Sequence, residues 1–159
     1  MNKHFKQIFP VFLVMFLFAT FYSAPCIEKI APDEKAIALL DRFLAALSIE
    51  DPEKRLEAVI PLVHKSLLTQ DGKDLDNDTK PYSYKKACQN AGCYKQPVEI
   101  YEVHKGNTYT VGYGPTAEKG RTDKYFINKK EGVAGRPAPI HIFWPSDGGE
   151  PKIINMGSL

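Results

Sequence analysis

Apolar positions along the chain follow two different rhythms, and the change falls near Gly92. Before it, Ile37, Leu40, Leu44 and Leu47 recur at helical spacing, with Leu39 and Phe43 widening the stripe. Pro32-Asp33-Glu34 opens that helix with a proline in the first turn and acids at the positive end of the dipole. Asp51-Pro52-Glu53 opens a second helix, with Asp51 as cap and Leu56, Val59, Ile60 and Val63 as its apolar face. Pro61 should kink or end it, because proline lacks a backbone donor and crowds the preceding turn. Ser83 is expected to cap a short third helix carrying Tyr84, Ala87, Cys88 and Ala91 on one face. Gly92 should end that helix in the left-handed conformation.

Beyond Gly92 the period falls to two. Val98 and Ile100, then Tyr109, Val111 and Tyr113, alternate across a Lys105-Gly106-Asn107 turn, as in a sheet with unlike faces. Gly114-Pro115 and Lys119-Gly120 bracket a loop, and residues 124–127 make a third strand. Residues 140–144 (Ile-His-Ile-Phe-Trp) and 152–156 (Lys-Ile-Ile-Asn-Met) flank an Asp-Gly-Gly breaker run and form a terminal hairpin. Helices first and about five antiparallel strands after them predict an α+β domain over residues 33–159, preceded by a linker at 25–32.

Residues 1–24 stand apart. Lys3, His4 and Lys6 form a positive start, residues 8–18 are almost wholly apolar, and the small residues Ser23 and Ala24 follow. This is the pattern of a signal peptide or N-terminal anchor. Export follows, to the periplasm, the medium or an envelope-anchored state, with membrane contact only through this segment. The run Ser23-Ala24-Pro25-Cys26 resembles a bacterial lipobox in ending at cysteine, which makes Cys26 a candidate for lipidation. It departs from that pattern in Pro25 and in having Ser23 where leucine is usual.

Charge narrows the partners. Of 21 Lys and Arg, two lie in the leader, leaving 19 against 19 Asp and Glu. A neutral domain lacks the basic footprint of a nucleic-acid binder. Residues 71–78 alternate aspartates as in a calcium loop, but Thr79 and Lys85 stand where the turn glycine and the closing glutamate belong. The segment reads as a solvated loop, and no metal or cofactor is expected. Cys88 and Cys93 would touch across a helix ending at Gly92, so in an oxidising compartment a disulfide between them is expected. Two packed thiols are the alternative, and half of a zinc site would need two ligands that no other Cys or close His supplies.

The arrangement of two opening helices, a short helix ending at Gly92 and a strand meander closing in 140–144 and 152–156 resembles the nuclear transport factor–ketosteroid isomerase superfamily, the SnoaL-like cone-shaped or cystatin-like α+β fold. The resemblance implies a curved sheet wrapped on the helices around a pocket, and in many members a homodimer through the outer sheet face. It also implies a candidate catalytic set, a His–Asp couple drawn from Asp41, His104 and His141, for a dehydratase or isomerase. The competing expectation, and the one adopted here, is an exported non-catalytic ligand-binding or interaction module. Tyr109, Tyr113, Tyr125, Phe143 and Trp144 would then line a pocket for a small apolar or aromatic ligand.

Overall fold

The computed structural model describes residues 27–114, 117–157 and 159. The proposed leader at 1–24 and the lipidation candidate Cys26 lie outside them. Helix α1 spans Glu34–Leu47, and its cap is Asp33, whose side chain accepts the N–H of Lys35 at 2.8 Å. Its buried stripe is Ala36, Leu39, Leu40, Phe43, Leu44, Ala46 and Leu47, while Ile37 stands at the rim. Helix α2 spans Pro52–Val59, and Asp51 caps it by accepting from Glu53 and Lys54. Pro61 acts as the sequence predicts, because regular helix stops at Val59 and tightens into a 3₁₀ turn over Ile60–Leu62.

The third helical segment differs from expectation. A π-type turn over Thr79–Tyr84 runs directly into α3, Lys85–Asn90, and then into a 3₁₀ turn over Ala91–Cys93. Ser83 therefore lies inside the helical run, where its hydroxyl donates back to the Thr79 carbonyl. Asp76 does the capping, accepting from the backbone of Asp78 and Thr79 and from the Thr79 hydroxyl. Gly92 is not among the residues with positive φ. Without the left-handed turn, the closure that would press Cys88 against Cys93 does not form, and both are free thiols.

The strands are β1 (Lys29–Ile30), β2 (Ile100–His104), β3 (Thr108–Val111), β4 (Glu118–Ile127), β5 (Ala138–Pro145) and β6 (Lys152–Asn155). They form one sheet in the order β1-β2-β4-β5-β6, with β3 also on β4, and every pairing is antiparallel. The fold is thus α+β with a six-stranded antiparallel sheet. β1 comes from residues expected as linker and was not visible as a strand.

Lys105-Gly106-Asn107 is not a hairpin turn, because β2 pairs with residues 124–127 of β4 and β3 with residues 118–121 of the same strand. The chain kinks and continues along one edge of β4, so tightly that a Cβ on Gly106 would sit 1.6 Å from the Thr122 carbonyl oxygen. Lys119-Gly120 likewise lies within β4 rather than in a loop. Gly120 is needed there because a Cβ would meet Phe143 Cζ and the Trp144 carbonyl oxygen at 2.4 Å. Glycine marked close backbone approach, not a turn.

Alternation sorts the two faces. The row Ile30–Val103–Tyr125–Ile140 is in register and faces the helices. There Leu39, Leu40, Phe43, Leu44, Tyr125, Ile140, Ile142 and Ile153 are each at most 1% exposed. The row Lys29–His104–Lys124–His141–Asn155 lies on the other face.

Candidate functional site

The site starts from the segment just after Pro61. Val63 forms a parallel bridge with Ile153, and the His64 N–H donates to the Ile153 carbonyl at 2.7 Å, so this stretch borders β6. Alternation then sends Val63 into the core and His64 to the opposite face. The His64 ring meets Phe143 edge-on at 4.7 Å between centroids and is 2% exposed. Phe143 is the outward neighbour of Ile142 on β5, packed above Gly120.

A 3₁₀ turn over Lys65–Leu67 brings Ser66 back onto the same ring. The Ser66 N–H donates to His64 Nδ1 at 3.1 Å, and Ser66 Oγ lies 2.8 Å from that nitrogen. A backbone N–H can only donate, so Nδ1 carries the lone pair and the ring proton sits on Nε2. Nε2 is buried without a hydrogen-bond partner among the described residues; it faces Glu118 Oε2 at 3.4 Å, and Lys65 Nζ reaches the same oxygen at 3.0 Å. Burial lowers the His64 pKa, with the Glu118 carboxylate pulling the other way, and the imidazole is held neutral at physiological pH. Ser66 is exposed and lines an open trough of about 540 Å³ together with Lys65, Leu68, Thr69, Gln70, Gly72, Gly112 and Tyr113.

The residues nominated from sequence are distributed differently. Asp41 Oδ1 accepts the Val98 N–H at 2.6 Å, anchoring the approach to β2. His104 sits at the far end of that strand, its Nε2 2.9 Å from Glu102, which also pairs with Lys29 at 2.5 Å. Its ring packs on Phe126. His141 shares the outward row, and burial, reinforced by the Lys124 charge, lowers its pKa. The structure does not bring Asp41 together with either histidine. Among the aromatics, Tyr125 and Phe143 are fully buried, and burial pushes the Tyr125 hydroxyl up to about 12. Trp144 is half-buried against the core, and the Tyr109 hydroxyl accepts from Thr122. Tyr113, 92% exposed, is the member of that set that borders the trough.

Sequence reading missed His64, Ser66 and Glu118. Val63 passed for the tail of the second helix, and Glu118 fell in a stretch read as loop. The available signal was His-Lys-Ser directly behind a proline-broken helix, where a side chain can cap a turn by accepting the backbone N–H two residues on. In the loop at 71–78, Asp71, Asp74 and Asp76 are spent locally, on Thr69, Lys73, Leu75 and Lys80 and on the cap at Asp76. No protein-family model matches the chain, and neither the curated proteins nor the solved structures contain a match to it.

Proposed function

We propose that the chain is an exported single-domain module of the cone-shaped α+β class, and that it holds a small ring-bearing ligand in the surface trough beside Tyr113. The observation that carries this is Tyr113 itself, an aromatic ring 92% exposed on the border of a trough of about 540 Å³. A ring in that position offers apolar area at little conformational cost, and Lys65 and Gln70 supply orienting groups around it. Side chains fill the space between helices and sheet around Phe43 and Tyr125, which favours an outer site over one between the layers. Export is supported by the charged, apolar and small-residue pattern of residues 1–24. The class is supported by the order of elements, helices before a sheet that ends in the β5–β6 hairpin.

Titration of the ¹⁵N-labelled protein with benzoate and benzyl alcohol tests the binding reading. Shifts should concentrate on Gln70, Gly112 and Tyr113 and vanish in Tyr113→Ala. Shifts elsewhere, or none, would overturn it.

A further inference from the structure

The trough has a second property that ring binding does not use. Its exposed hydroxyl, on Ser66, lies 2.8 Å from the unprotonated nitrogen of a buried imidazole whose other nitrogen faces a carboxylate. That is the order nucleophile, base, orienting acid in which serine hydroxyls are activated for acyl transfer, with the two ring nitrogens exchanged relative to the usual arrangement. The geometry points to Ser66 as an acyl-accepting nucleophile, with His64 as its general base and Glu118, 3.4 Å from Nε2 without a hydrogen bond to it, as the carboxylate that favours the imidazolium, acting on small carboxylic esters. The inference rests on the trough admitting small molecules, as above, but not on a preference for rings.

Three features carry it. His64 is fixed from several sides, by its own N–H on Ile153, by Phe143 against the ring and by the Ser66 N–H on Nδ1. Protonation of Nδ1 gives up the Ser66 N–H bond, but the backbone anchor on Ile153 and the Phe143 contact remain, so the ring loses little entropy when it takes a proton. Its tautomer is set by the backbone, so the lone pair faces the hydroxyl and not the carboxylate. Lys65, whose ammonium binds Glu118, lines the same trough and brings a cation to its wall.

The reaction balances with water as the second substrate. Ser66 Oγ attacks the ester carbonyl carbon, an O–C bond forms, and the hydroxyl proton passes to His64 Nδ1. The imidazolium so formed keeps its Nε2–H toward Glu118. Collapse of the tetrahedral adduct breaks the bond to the leaving alcohol, which departs with the proton from Nδ1 and leaves an acyl-serine. Water, deprotonated by the same nitrogen, then releases the acid and restores Ser66. Because the Ser66 N–H shares the Nδ1 lone pair, turnover will be slow and the adduct long-lived.

Diisopropyl fluorophosphate is the probe, since it reports a reactive serine hydroxyl without needing a ring: the O–P bond forms and fluoride leaves. The full chain should gain one adduct by intact mass, mapped to Ser66, and Ser66→Ala should gain none. Glu118→Gln should slow labelling by about tenfold or more while leaving the circular dichroism spectrum unchanged, and the rate should rise with pH as His64 loses its proton. An unlabelled wild type, equal labelling of Ser66→Ala, or wild-type labelling rates in Glu118→Gln each overturn the proposal. Labelling without benzoate shifts would leave this inference standing and remove ring binding alone.

Discussion

Asp123, wholly buried, reaches across the break between β2 and β3 and accepts the Gly106 N–H at 3.0 Å. The same carboxylate takes a fork from Arg121, with Nε at 2.9 Å and Nη2 at 2.8 Å. This one side chain satisfies the backbone donor that the kink leaves without a ladder partner.

Asp123→Ala should therefore destabilise the protein by about 3 kcal/mol, since removing one partner strands a buried N–H and a half-covered guanidinium. Urea denaturation measures it. A loss under about 1 kcal/mol would mean water replaces the carboxylate at the kink.

Two glycines should respond oppositely to alanine. At Gly120 the added methyl meets Phe143 and the Trp144 backbone, so Gly120→Ala should cost about 1–3 kcal/mol. At Gly92 nothing lies within 4 Å of the new Cβ and φ is not positive, so Gly92→Ala should gain about 0.4–1 kcal/mol. A loss at Gly92 would restore the left-handed helix end and, with it, the geometry for a Cys88–Cys93 bridge. Thermal melts of the two variants decide this.

The histidines set a pH dependence. His64 and His141 both have pKa values lowered below the ordinary 6.5, chiefly by burial. The unfolded chain then binds more protons than the folded one as pH drops past that value. Their contribution to stability is full above about pH 6.5 and shrinks as pH falls toward the folded-state values. Denaturant midpoints between pH 7.5 and 5 should decline, and the decline should be shallower in His141→Gln. A midpoint independent of pH in that window would contradict the burial of both rings.

Thiol content gives an independent check. The Cys26→Ser variant, unfolded without reductant, should show two titratable thiols, from Cys88 and Cys93. None would establish the bridge that the helix geometry argues against.

What could be read in advance follows from how local each feature is. The stripe of α1, the Asp51-Pro52 opening and the β5–β6 hairpin depend on neighbours within a few positions, and the apolar rhythm declares them. The collinear β2 and β3 depend on Gly106 meeting Thr122, and a Lys-Gly-Asn run looks the same whether it reverses the chain or merely bends it. Tyr125 and Phe143 were expected to line a pocket, yet Tyr125 packs toward the helices and Phe143 toward His64 on the other face, because which side of the sheet the helices cover is a tertiary choice. The site was least legible of all. Ser66 and His64 are two positions apart in sequence, yet their chemistry needs Glu118 from a strand whose start was hidden by Lys119-Gly120, and they meet it only because Val63 borders β6.

That border has a consequence for the order of assembly. His64 is moored to Ile153 and braced by Phe143, both synthesised long after it. A nascent chain would carry Ser66 and its base as an ordinary flexible loop, inert until the closing hairpin emerges and docks. Reactivity at Ser66 would thus serve as a late milestone of maturation, appearing with the last strand and not before.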